Sequence, residues 1–174
     1  MSRIYKYTIP TGIDFGPGAL SNLDKVLEAQ GISRPLLLCD TGIRQCGILQ
    51  MATDAMGQDG EATPQFDGVA SNPREENVLD ALEVYRDQGC DGIVALGGGS
   101  VIDAAKGVSL LATNPGDLED FDILKGGATK IHASPAPMVA VPTTAGTGSE
   151  VSRGALIITT REGITRKMIA ASPL

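Results

Sequence analysis

Ile93-Val94-Ala95-Leu96-Gly97-Gly98-Gly99-Ser100-Val101-Ile102-Asp103-Ala104-Ala105-Lys106 is the stretch that decides the fold. Its first four residues are apolar without alternation, which suits a strand buried on both faces of a parallel sheet. Three glycines follow, and then Val101, Ala104, Ala105, Val108 and Leu111 recur at helical spacing. Asn114-Pro115-Gly116 ends that helix near Thr113. The order is therefore strand, glycine loop, helix.

The same alternation extends in both directions. Upstream, Gly18 to Gln30 reads as a helix with Leu20, Leu23 and Leu27 on one side. Pro35-Leu36-Leu37-Leu38-Cys39 reads as a second buried strand, ending at Asp40. A helix from Ile43 to Met56 is expected next, then a weaker strand near Thr63 to Asp67. Asn72-Pro73 opens a further helix with Val78, Leu79, Leu82 and Tyr85 inward, ended by Gly89. Downstream, Asp117 to Pro137 is mixed and loop-like, with one short helix expected. Met138-Val139-Ala140-Val141 is another strand. Leu156 to Thr159 and Arg166 to Ala170 pair as a hairpin around Arg161-Glu162-Gly163. Strands alternating with helices predict an α/β, Rossmann-like parallel sheet with helices on both faces.

The ends of two strands carry the chemistry. Gly97, Gly98 and Gly99 have no β-carbons, so a ligand can approach the backbone closely. Free N–H groups and the helix dipole favour an anion there. Ser100 is placed to cap the helix and Asp103 to complete a capping box. The plainer alternative is a βα turn with an ordinary cap. The pattern is not G-x-G-x-x-G, because Ile102 stands in the third glycine's place. Asp40 ends another strand. If that strand neighbours the glycine-loop strand, Asp40 can accept hydrogen bonds from an adenosine ribose; otherwise it caps the following helix. The segment Thr143 to Glu150 brings the hydroxyls of Thr143, Thr144, Thr147 and Ser149, suited to ribose, phosphate or carboxamide, or simply to a polar turn. Ligands of open α/β sheets sit at this carboxyl edge.

Composition removes other classes. A formal charge of −7 disfavours a nucleic-acid partner. No apolar run is long enough to span a membrane. Met1 to Lys6 leads into no apolar signal region, and Cys39, Cys46 and Cys90 lack metal-ligand spacing, so a cytoplasmic protein with reduced thiols is expected. His132 is the only histidine, an exposed loop residue by expectation, and it supports neither a catalytic triad nor a transition-metal site. Lys106 and Lys167 are each able to reach a ligand, although isolated lysines are usually solvated.

The run Gly97 to Lys106, followed by Pro142-Thr143-Thr144-Ala145-Gly146-Thr147-Gly148-Ser149-Glu150, closely resembles the iron-containing (group III) alcohol dehydrogenases. The resemblance extends from Gly12-Ile13-Asp14-Phe15-Gly16 to Ala171-Ser172-Pro173. It implies a dehydroquinate synthase-like N-terminal domain over residues 1–174 that binds NAD, with NADP second because Asp40 would repel a 2′-phosphate. It also implies that the glycine loop holds the pyrophosphate. Thr143–Glu150 would lie along the nicotinamide, Asp40 would meet the adenosine ribose, and Asn72 and Lys167 would stand on the cofactor side. The family's all-helical second domain supplies one Asp and three His for Fe²⁺ or another divalent metal. That domain is expected to be missing here, leaving no metal ligands, no catalytic residue and negligible turnover by this polypeptide alone. A small alcohol or aldehyde as substrate and a homo-oligomeric assembly are further implications. The alternative is a non-enzymatic nucleotide-binding or interaction module left by truncation.

Overall fold

Pro35–Leu38, Gln65–Phe66, Gly92–Gly97 and Met138–Pro142 form strands β1 to β4 of one parallel sheet, in the spatial order β2-β1-β3-β4. The structure, a computed structural model, describes residues 11–57, 62–162 and 164–171, the last six by their backbone alone. Leu36 pairs with Ile93 and Leu38 with Ala95 across β1 and β3, while Ala95 pairs with Ala140 across β3 and β4. The strand lacks alternation because both of its faces are covered. Leu37, Cys39, Val94 and Leu96 join Leu23, Leu27, Ile43, Leu49 and Met56 in one apolar cluster. Leu36, Leu38, Ile93 and Ala95 join Val78, Leu82, Val101, Ala105 and Val108 in another. Each fully buried Leu or Ile contributes about 1.5–3 kcal/mol relative to exposure.

The helices are α1 (Leu23–Ala29), α2 (Thr41–Gln45), α3 (Ile48–Ala55), α4 (Glu75–Asp87) and α5 (Gly99–Thr113). A 3₁₀ turn, Ala19–Asn22, precedes α1. The single helix expected from Ile43 to Met56 is two helices. It starts earlier, under the cap of Asp40, and breaks at Gly47, whose φ of 82° leaves the helical region. Helix α4 begins after Arg74, not at Asn72-Pro73. Its inner face is Val78, Ala81, Leu82 and Tyr85, whereas Leu79 is 47% exposed. One residue is a 100° step on a helix, so Leu79 lies off the stripe that Val78 sets. Helix α5 is buried from Val101 to Leu111 on every side, between the sheet, α4 and the hairpin described next.

Segment 117–137 contains three short 3₁₀ turns, Leu118–Phe121, Ile123–Lys125 and Gly127–Lys130, in place of one helix. Buried Asn114 holds its far end, accepting from the His132 and Ala133 amides at 2.9 Å and donating to the Ala133 carbonyl at 2.9 Å. His132 itself is exposed. Strands β5 (Gly154–Arg161) and β6 (Ile164–Ala171) form the expected antiparallel hairpin. Gly163 of its turn, residues 1–10 and residues 172–174 lie outside the described residues.

Candidate functional site

The chain leaves β1 toward β2 and leaves β3 toward β4 on the opposite side. The carboxyl ends of β1 and β3 therefore flank a switch point, where open α/β sheets leave a crevice. Gly97–Gly99 and Asp40 both stand at this edge. None of the three glycines has a positive φ, so conformational freedom is not what requires them. Space is. A β-carbon on Gly98 would stand 3.1 Å from Thr144 Oγ1, and one on Gly99 would stand 3.1 Å from both Ser149 Oγ and Thr147 Cβ. The Thr143 amide also donates to the Gly97 carbonyl at 3.0 Å. The two loops singled out in the sequence thus pack directly on one another.

Helix α5 starts at Gly99, with Gly98 as a cap that offers no side chain and no acidic residue in the first turn. Ser100 is therefore not the cap. It lies inside the helix, and its hydroxyl donates to the Ser71 carbonyl at 2.5 Å, which fixes the segment carrying Asn72. Asp103 is not a capping-box partner either. Its Oδ2 accepts from the Leu156 amide of β5 at 2.9 Å, and its Oδ1 faces Lys106 Nζ at 3.5 Å. The helix N-terminus is left with its N–H dipoles uncompensated by side chains.

Beside this N-terminus lies a cavity of about 460 Å³, within the range that small-ligand sites occupy. Six residues picked from the sequence line it: Asn72, Gly99, Ser100, Asp103, Thr147 and Ser149. Pro73, Ser152, Gly154, Leu156 and Ile158 complete the lining and were not foreseen. For Leu156 and Ile158 the one advance signal is the hairpin pattern, which carries no indication of where the hairpin docks. Gly97, Gly98, Thr143 and Thr144 stand outside the lining, in the packed loops behind it. Lys167 sits on β6 opposite Ile158, and its side chain lies outside the described residues.

Asp40 lies apart from the cavity, at the end of the neighbouring strand β1. The strand does neighbour β3, and the helix-cap reading is seen directly, since the Ile43 amide donates to Oδ1 at 2.9 Å. A carboxylate has two oxygens with room for several donors, so capping leaves it capable of meeting a ligand. Directly before it, the buried Cys39 thiol is pushed up to about 11 by burial, with Asp67 adding to the effect. It is no nucleophile at neutral pH. Among the described residues no group of three or more His, Cys, Asp or Glu side chains is placed to hold a metal ion.

A family model described as iron-containing alcohol dehydrogenase matches residues 10–174. A 4-hydroxybutyrate dehydrogenase of Cupriavidus necator is 49% identical over 158 residues, covering 91% of this chain and 40% of that protein. A 1,3-propanediol dehydrogenase of Citrobacter freundii is 38% identical over 161 residues, covering 91% and 41%. The crystal structure of sulfoacetaldehyde reductase from Bifidobacterium kashiwanohense in complex with NAD⁺ superimposes with a TM-score of 0.84 at 27% identity, covering 98% of this chain and 44% of that one. The chain thus spans about 40% of the length of the curated relatives it matches.

Proposed function

Because the chain belongs to the iron-containing alcohol dehydrogenase family, we propose that it is the cofactor-holding domain of an enzyme that passes hydride between a small alcohol and NAD. One observation carries the reading: a 15-residue helix opens without a side-chain cap onto a hydroxyl-lined cavity. NAD supplies the hydride chemistry. The chain's own residues bind and orient it. The backbone of the Gly97–Ser100 turn at the start of α5 receives the pyrophosphate, with Gly97 and Gly98 leaving room for Val101 and Thr144 to pack behind it. Asn72, Asp103, Thr147 and Ser149 meet the nicotinamide side, while Thr143 and Thr144 brace the loop behind them. Lys167 belongs to the same side through its place on β6. Asp40 takes the adenosine ribose.

The preference for NAD over NADP follows from charge. A 2′-phosphate beside the Asp40 carboxylate adds like-charge repulsion that a ribose hydroxyl does not. The chemistry proposed for this chain is cofactor binding and orientation. A cytoplasmic homo-oligomer acting on a small alcohol or aldehyde is part of the same proposal.

Calorimetric titration of the purified chain tests it. NAD⁺ is expected to bind with a Kd below about 1 mM, and NADP⁺ at least about tenfold more weakly. No heat with either cofactor at millimolar concentration sinks the proposal.

A further inference from the structure

We propose that Lys106 is a positioning residue for the nicotinamide side of the cavity, acting by fixing Asp103 and strand β5 as one wall. The inference rests on the cofactor reading above and deepens it. Lys106 does not line the cavity, yet it touches what does. Its side chain is 5% exposed, in the middle of helix α5. Its ammonium donates to the Gly154 carbonyl at 2.9 Å and faces Asp103 Oδ1 at 3.5 Å. Asp103 in turn accepts from the Leu156 amide. Gly154, Leu156 and Asp103 are all cavity-lining. One cation therefore touches two wall elements, Asp103 one turn before it on its own helix and Gly154 48 residues further along the chain.

Stability alone does not explain the arrangement. Replacing a buried ion pair by well-packed apolar side chains is often neutral or stabilising. Burial pulls the Lys106 ammonium below its usual range, and Asp103 opposes that pull, with Glu150 adding to the opposition. The spacing of three residues puts both groups on one helical face. That face is the one against β5, where the Gly154 carbonyl and the Asp103 carboxylate take their positions. What the pair supplies is geometry: a carboxylate held against a strand edge, beside a cavity.

The experiment compares NAD⁺ with ADP, which lacks the nicotinamide half, by calorimetry on the wild-type chain, Lys106→Met and Lys106→Gln. NAD⁺ affinity is expected to fall by at least about tenfold in Lys106→Met. ADP affinity is expected to stay within about twofold. Lys106→Gln keeps an N–H donor and should fall between wild type and Lys106→Met for NAD⁺. Equal losses for NAD⁺ and ADP would show a merely structural role and overturn the inference, as would an unchanged NAD⁺ affinity. Should Lys106→Met fail to fold, the same two ligands on Lys106→Gln decide between these outcomes. A wild-type chain that binds no NAD⁺ at all overturns the cofactor reading itself, which is a separate result.

Discussion

Asp40 caps α2, the proposed function gives the same carboxylate a second task in choosing the cofactor, and substitution can separate the two. Its Oδ1 caps α2 through the Ile43 amide, and a β-carbon on Gly42 would stand only 3.0 Å from that oxygen. The cap contributes about 1 kcal/mol. On the proposed cofactor reading, the charge is what discriminates against a 2′-phosphate. Serine retains a capping oxygen and removes the charge, whereas alanine removes both. Asp40→Ser should therefore leave the urea midpoint nearly unchanged while raising NADP⁺ affinity by about tenfold. Asp40→Ala should show the same cofactor effect and also lose about 1 kcal/mol of stability. Urea unfolding and calorimetry measure the two effects independently. An Asp40→Ser chain that still rejects NADP⁺ as the wild type does would remove Asp40 from the recognition argument.

At the scale of the element, the β5–β6 hairpin is the part whose docking makes the cavity. Besides the Lys106 bond to the Gly154 carbonyl, four separate ties hold β5. The Leu156 amide reaches Asp103, the Ile158 amide donates to the Pro73 carbonyl at 2.9 Å, and Thr159 Oγ1 donates to Glu119 Oε1 at 3.1 Å. Arg161 closes the set as a fork on Glu75, with Nη2 donating to Oε1 at 2.6 Å and Nη1 to Oε2. Glu75 is 10% exposed and Arg161 43%, so truncating the arginine strands a nearly buried carboxylate. After allowance for solvent screening of the exposed partner, Arg161→Ala should lower stability by about 1–2 kcal/mol. Glu75→Gln combined with Arg161→Ala should recover part of the loss, because no charge is left unpaired. Urea midpoints of the single and double variants check this, and strictly additive losses would mean that the pair is idle. These ties also explain what could be read in advance. β1, β3 and β4 were legible because continuous apolar runs end at Asp, Gly or Pro, α5 because its apolar residues recur at helical spacing, and the hairpin because two strand patterns flank Arg161-Glu162-Gly163. That the Gly97–Gly99 and Thr143–Ser149 loops both lie at the carboxyl edge was legible because each follows an apolar strand, whereas their packing on one another was not. Pro73, Ser152, Gly154, Leu156 and Ile158 were not legible as lining. Their position depends on a bond across 53 residues, between Leu156 and Asp103, and no local periodicity encodes it. Ser100 is not a cap because the helix begins at Gly99, two residues before the start that a Ser100 cap would set.

The whole molecule is tied together through its sheet. Leu36 and Leu38 face one apolar cluster while Leu37 and Cys39 face the other, and β3 divides its residues in the same way. Neither cluster can be dismantled without exposing strands that the other also covers, so a single cooperative unfolding transition is expected. The proposed ligand binds at the start of α5, which lies within the first cluster, and should therefore stabilise the entire unit and not one loop. A net charge of −7 gives a dinucleotide no general attraction to the surface. Its affinity must come from the local N–H groups, which only the folded state assembles. Binding to the folded state alone at a hundredfold excess over Kd is worth about 2.7 kcal/mol. In a domain of this size each kcal/mol moves the midpoint by about 2–4 °C. NAD⁺ at that concentration should then raise the thermal midpoint by about 5–10 °C while the transition stays single. Differential scanning calorimetry with and without NAD⁺ measures it. A second transition that NAD⁺ leaves in place would show that the α1–α3 face melts separately, and the coupling argued from the shared sheet would fail.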